Sequence, residues 1–173
     1  RVCGQQGERV VKKKIVVPLS TDGISSLQKE LAEYRRWQRE KAKELAARLA
    51  MLGASVASIR FTRAVYSGMR DANVSVEAIP NGYTVRAEGQ SVLFIEFGSG
   101  ITYGYGHPEA AENGMGPGTY QDGKGHWDDP RGWWLPKSAG GGHTYGNPPA
   151  MAMYEARKTI ERELPRIVKE VFA

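Results

Sequence analysis

The stretch NVSVEAIPNGYTVRA, residues 73–87, decides the fold class of this chain. Apolar and polar residues alternate on either side of Pro80-Asn81-Gly82, which is the pattern of two half-buried strands. Asn-Gly supplies the positive φ values that a tight hairpin turn requires. The sequence therefore predicts an antiparallel hairpin with strands over residues 73–79 and 83–87.

Helical patterns precede the hairpin. Apolar residues recur at helical spacing from Ile24 to Leu52, which predicts a long amphipathic helix that ends at Gly53, with Asp22 or Ser25 as its N-cap. The following residues, 54–67, fit either a strand or a continued helix, and we favour the helix. Before the helix, residues 12–19 (KKKIVVPL) fit a short edge strand stopped by proline.

Two further segments follow the hairpin. Residues 92–97 (VLFIEF) are apolar enough to be buried, as a strand or as a short helix. The sequence Asn147-Pro148-Pro149 opens a terminal helix, in which Pro165 is expected to cause a kink or a break. We therefore predict an α+β fold, with a long N-terminal helix and a C-terminal helix packed on a small antiparallel β-sheet. The domain is expected to span residues 15–173.

A long loop interrupts this domain over residues 98–148. It contains 14 Gly and 5 Pro in 51 residues, but also large aromatic rings that flexible linkers lack. A loop of this length inside a small domain usually serves a function, and exposed rings favour contact with another surface. We expect the loop to become ordered against neighbouring subunits. Its rings are Tyr103, Tyr105, Tyr120, Trp127, Trp133, Trp134 and Tyr145.

The positive charge of the chain is concentrated at its start. Of the net charge of +5, residues 1–14 carry +4, and the loop at 98–148 carries −2. The rest of the chain is nearly neutral, which does not favour a nucleic-acid-binding groove in the domain. We expect residues 1–14 to be a solvated, disordered basic arm. The alternative is a nucleic-acid-binding module that uses this arm and the aromatic loop.

Catalytic and metal-binding patterns are weak. His107, His126 and His143 all lie in the loop, but their spacings of 19 and 17 residues match no compact zinc ligand set, and Cys3 is the only cysteine. No Ser or Cys stands in a strained elbow motif. A metal-assisted hydrolase remains a third hypothesis, whereas we expect no metal, no cofactor and no enzymatic activity. The longest apolar runs are about four residues, so no membrane span is expected.

Glu96 stands out because it interrupts the apolar segment Leu93-Phe94-Ile95 and Phe97. A carboxylate in such a segment must face solvent, pair with a cation or lie at an interface. Two explanations remain open: a strand that exposes every second residue, or pairing with an arginine of another subunit.

Residues 92–100, VLFIEFGSG, resemble the FxEFGTG signature of the tail-completion, head–tail joining or neck proteins of tailed bacteriophages, with Ser99 where Thr is frequent. The order of the flanking features agrees over roughly residues 15–173. A long charged helix and a hairpin precede the signature, and Gly132-Trp133-Trp134 and a proline-led helix follow it. The loop is longer than in compact members of that family.

The resemblance implies a structural protein of the virion that forms a homo-oligomeric ring, expected to be a hexamer, at the head–tail junction or tail end. Its partners would be the head–tail connector or adaptor and the tail tube, with non-specific contact to DNA in the lumen. It would occupy the host cytoplasm during assembly. The candidate oligomer-interface residues are Glu96, Phe97, Gly98, Ser99, Gly100, Trp127, Trp133, Trp134 and Trp37.

Overall fold

The computed structural model describes residues 16, 18–101, 106–115 and 129–173. Within them the helices are α1 (Thr21–Arg63), α2 (Val92–Phe97) and α3 (Ala152–Phe172), and the strands are β1 (Asn73–Ile79), β2 (Gly82–Glu88), β3 (Trp133–Trp134) and β4 (His143–Thr144). Short 3₁₀ turns cover Ala111–Asn113 and Lys137–Ala139. The α+β prediction is confirmed. The basic arm at 1–14 and most of the edge strand expected at 12–19 lie outside the described residues.

The chain divides into two compact units, with the boundary between Lys41 and Ala42. In the first unit, α1 begins earlier than expected. Ser20 is the N-cap: its Oγ accepts the Gly23 N–H at 3.1 Å, and its carbonyl accepts the Ile24 N–H at 2.9 Å. The prediction of Asp22 or Ser25 as the cap was therefore wrong.

In the second unit, α1 continues through Gly53 and ends at Arg63, so the favoured helix over the ambiguous segment is confirmed up to that residue. Gly53 is buried, and a Cβ added there would lie 2.7 Å from Cδ1 of Ile160 in α3. Glycine therefore allows the Ile160 side chain to approach the α1 backbone closely. The same residue that suggested a helix end from sequence permits close packing of two helices.

The hydrophobic core of the second unit joins α1, α2 and α3. Side chains of the hairpin, including Val74 and Ala87, pack against it and are partly buried. Small residues predominate, which brings the helix backbones close together. The buried cluster consists of Ala57, Phe61, Ala64, Ile95, Ala152 and Ala156.

The β1–β2 hairpin forms as predicted, with Val76 opposite Val85 and Ile79 opposite Gly82. The turn consists of Pro80 and Asn81, because Gly82, predicted as its third residue, belongs to β2. Proline has a fixed negative φ that suits the first central position of common turns, and Asn81 does not adopt the positive φ that was expected of Asn-Gly. The pairing of the two strands is unaffected by this difference.

The terminal helix α3 differs from the sequence expectation at two places. It begins at Ala152 after Met151, whose φ is 51°, and not directly at the Asn147-Pro148-Pro149 sequence. It then runs through Pro165 as one helix, so the expected break is absent. Pro165 is exposed, whereas Ala152, Ala156, Ile167 and Val171 form the buried face.

Candidate functional site

Glu96 lies in the last turn of α2 and is buried, with 5% of its surface exposed. Its carboxylate accepts the backbone N–H of Met153 at 2.9 Å and that of Tyr154 at 3.0 Å. These two N–H groups belong to the first turn of α3, where no preceding carbonyl is available to them. Glu96 therefore acts as an N-terminal cap for a helix that begins 56 positions later in the chain.

A buried histidine completes the carboxylate's hydrogen bonding. Nδ1 of His107 accepts the Glu109 N–H at 3.1 Å, so the ring proton lies on Nε2 and is donated to Glu96 Oε1 at 3.3 Å. The imidazole also contacts the ring of Phe97 at 4.4 Å and that of Tyr154 at 5.4 Å between centroids. The Glu96 carboxylate is thus buried and engaged by atoms of its own chain.

These contacts correct the earlier explanation of Glu96. It lies on a helix and is buried, so the strand that exposes every second residue was wrong. An arginine of another subunit would have to replace partners that the chain already supplies. Placement of residues 96–100 at a subunit interface stays a prediction. Within the subunit Glu96, Gly98, Ser99 and Gly100 are all buried, so of these five residues only Phe97 is partly exposed.

Gly98, Ser99 and Gly100 join the two ends of the long loop. The backbone of Ser99 exchanges two hydrogen bonds with Asn147, each at 3.0 Å, and their side chains hydrogen-bond as well. The Asn147 amide also donates to the Phe94 carbonyl at 2.7 Å. We call residues 96–100 and 145–151 the loop clasp.

Glycine is required within the clasp. Gly98 has φ 78° and Gly100 has φ 81°, which are conformations that other residues rarely adopt. A Cβ on Gly100 would lie 2.4 Å from the Tyr145 carbonyl oxygen, and one on Gly98 would lie 2.8 Å from the backbone nitrogen of Pro149. Residues 98–100 therefore form a close backbone junction.

The two tryptophans of β3 occupy different environments. Trp133 is half-buried, and its Cη2 atom lies 3.3 Å from the place of a Cβ on Gly100. Trp134 is 76% exposed and contacts the ring of His143, which in turn contacts that of Tyr145; the centroid distances are 5.3 and 4.9 Å. We call Trp134, His143 and Tyr145 the aromatic row. It is an exposed surface fixed to the loop clasp through Tyr145.

The remaining predicted interface residues are not part of this arrangement. Trp37 belongs to the first unit, where it stacks on Tyr34 with 5.5 Å between ring centroids. Trp127 lies outside the described residues. The structure thus brings Glu96, Phe97, Gly98, Ser99, Gly100 and Trp133 together.

The two histidines that the structure describes lie in different surroundings. His107 is in the buried pair with Glu96, His143 is in the aromatic row, and His126 lies outside the described residues. In the part of the chain that the structure describes, no group of three His, Cys, Asp or Glu side chains is arranged to hold a metal ion.

Sequence reasoning missed Asp71, which fixes the turn before α2. Its carboxylate accepts the N–H of Gln90 at 2.7 Å, the N–H of Ser91 at 2.9 Å and the Ser91 hydroxyl. These hydrogen bonds, above all that from the Ser91 hydroxyl, lower the pKa of Asp71 below its ordinary value. His107 and Asn147 were also missed, although the Asn-Pro-Pro sequence had drawn attention to position 147.

By length and composition, α1 is long and apolar enough to cross a membrane. Its apolar residues do not form one continuous run; the second half of the helix instead combines many alanines with few charges. It also supplies Ala57 and Phe61 to the hydrophobic core. Core packing accounts for part of that composition, since 22% of the apolar stretch is buried.

Comparison with protein-family models, curated proteins and solved structures found no match for this chain.

Proposed function

We propose that this chain is a structural protein of a tailed phage or prophage, a tail-completion or neck protein that assembles as a ring. The observation that carries the proposal is the order of sequence features around the signature at residues 92–100. A charged helix and a hairpin precede it, and a Gly-Trp-Trp element and a proline-led helix follow it. The proposed place in the virion is the head–tail junction or tail end.

The geometry of the signature supports a structural role. Glu96 caps α3, and residues 98–100 close the base of the loop through Asn147. The Glu96 carboxylate and the backbone and side chain of Ser99 are all engaged in hydrogen bonds within the chain. A subunit that must keep one shape within an assembly gains from such a junction, because it fixes the two ends of the loop.

The exposed aromatic row supports contact with another protein. Trp134 and Tyr145 are 76% and 60% exposed. Tryptophan and tyrosine are enriched at the buried centres of protein interfaces, so their exposure here favours a surface that a partner covers. Covering them with a neighbouring subunit would remove that apolar surface from water. The proposed partners are further copies in a ring, expected to be a hexamer, the head–tail adaptor or connector, and the tail tube.

Electron microscopy of the purified protein tests the ring directly. We expect closed rings of uniform diameter, and a mass in solution that is a fixed multiple of 19.0 kDa. A monomer at every concentration tested would contradict the ring.

The place in the virion needs a separate test. In lysates from a phage or prophage that lacks the gene, we expect separate heads and tails, and joined particles when the gene is supplied in trans. Normal joined particles in the absence of the gene would contradict the head–tail role, whatever the oligomeric state.

A further inference from the structure

The first unit has an apolar seam along α1. Ile24, Leu27, Leu31 and Tyr34 are spaced by three, four and three residues, which places them on one side of the helix as positions a and d of two heptads. We call these four residues the α1 seam. Ile24 and Leu31 are 47% and 40% exposed, and Leu27 and Tyr34 are half-buried.

Opposite charges flank the seam at matching positions. In this heptad phase Glu30 is at position g and Arg35 at position e, five residues further on. In parallel helices, a g residue of one helix faces the e residue five positions later of its neighbour. Within the described part of the chain, neither Glu30 nor Arg35 takes part in an ion pair; Arg36, on the opposite side of the helix, pairs with Glu40.

We propose that the α1 seams of neighbouring copies pack against each other in parallel, with Glu30 of one copy paired with Arg35 of the next. This inference rests on the proposed ring and assigns one of its contacts. Copies related by rotation about an axis along the helix direction present parallel helices, which is the arrangement that the charges favour.

The antiparallel arrangement is disfavoured by the same charges. Antiparallel packing that buries the same four seam residues brings g positions of the two helices together. Glu30 would then face Glu30 of the neighbour, and Arg35 would gain no acidic partner. Like charges at these positions oppose association, so the charge pattern selects the parallel orientation.

A charge-swap experiment tests the pairing. Sedimentation velocity would compare the full-length protein with Glu30→Arg, Arg35→Glu and the double variant. We expect each single variant to weaken association about fivefold per contact, because it places like charges opposite each other. The double variant restores opposite charges and should return association to near the wild-type value.

Matched controls carry the same charge changes away from the seam. Glu33→Arg is at position c and Arg36→Glu is at position f, so neither should face a neighbouring seam. Circular dichroism of every variant checks that the helix content is retained. A further variant, Leu27→Glu with Leu31→Glu, places charge inside the seam and should abolish this contact.

The outcomes separate the two proposals. If the wild type forms rings and all seam variants do so equally well, the α1 contact is overturned and the ring stands. If the single variants weaken the ring and the double variant does not restore it, the parallel Glu30–Arg35 pairing is overturned. A wild type that stays monomeric overturns the ring and the seam contact with it.

Discussion

Glu96 shows how one buried carboxylate organises this fold. Its carboxylate accepts hydrogen bonds from two N–H groups at the start of α3 and from the Nε2–H of His107, so three donors depend on it. A cap of this kind usually comes from a residue next to the helix in sequence, whereas here it comes from another helix. The residue therefore couples the end of α2 to the beginning of α3.

Glu96→Ala should destabilise the protein by about 3 kcal/mol, because it leaves buried donors unsatisfied. Glu96→Gln keeps an acceptor without the charge and should cost about 1–2 kcal/mol. Denaturant unfolding measures both values. Hydrogen exchange at the amides of Met153 and Tyr154 should also accelerate in the alanine variant.

The control for this prediction is Glu77→Ala, which removes a half-exposed partner of Arg86 on the hairpin. It should change the free energy of unfolding by less than about 0.5 kcal/mol. A Glu96→Ala protein as stable as this control, with unchanged amide exchange in α3, would refute the capping role.

Asp71 gives the stability a specific pH dependence. Its pKa in the folded protein is lowered from the ordinary value of 3.8, chiefly by the hydrogen bond from the Ser91 hydroxyl. A carboxyl whose pKa is lower in the folded than in the unfolded protein stabilises the fold at pH values above its unfolded pKa. That stabilisation is lost as the pH falls through its folded pKa. Asp71→Asn should therefore be less stable than the wild type at pH 7, and the difference should shrink below about pH 4. Unfolding titrations from pH 7 to pH 2 measure it; a difference that is constant over that range contradicts the prediction.

At the scale of the elements, the sequence predicted what local chemistry determines. The hairpin follows from strict alternation around a turn, and both signals lie within 15 residues. Gly53 left the end of α1 ambiguous from sequence, because its fit against Ile160 is a contact with another helix that no local pattern reveals. The start of α3 was missed for the same reason, since its cap is contributed by Glu96.

The candidate site was predictable in position but not in role. Residues 96–100 were identified from sequence, yet a six-residue segment in which every residue but Glu96 is apolar carries no period that separates strand from helix. The face on which Glu96 lies was therefore undetermined. The contacts of Ser99 with Asn147 span 48 residues of loop, and no local pattern reveals such a pairing.

The loop clasp should be sensitive to a single methyl group. Gly100→Ala combines a positive φ with a Cβ placed 2.4 Å from the Tyr145 carbonyl, so we expect a loss of about 3 kcal/mol. Gly142→Ala is the matched control, because Gly142 has φ 93° but no atom within 4 Å of the added Cβ. It should cost about 1 kcal/mol through conformation alone. Equal losses in the two variants would show that the close junction at Gly100 contributes nothing.

For the whole molecule, stability and assembly depend on different surfaces. The loop clasp and the core hold the second unit together, whereas the aromatic row and the α1 seam expose apolar side chains. The alternation of side chains on β3 separates these roles within two residues, since Trp133 faces the clasp and Trp134 faces outward. Replacing both tryptophans together would mix a folding defect with an assembly defect.

Trp134→Ala combined with Tyr145→Ala isolates the assembly role of the aromatic row. Both side chains are exposed, so the free energy of unfolding of the dissociated subunit should change by less than about 1 kcal/mol. If the row is covered in the ring or against a tail partner, loss of two aromatic anchors should weaken that association by at least about 2 kcal/mol, or roughly thirtyfold. Sedimentation and ring counts in micrographs measure it.

Trp133→Ala is the comparison: it should lower stability by about 2 kcal/mol or more, because its half-buried ring packs beside Gly100. Unchanged rings and unchanged tail attachment in the exposed-pair variant would remove the aromatic row from the assembly, and the α1 seam would then be the surface to account for it.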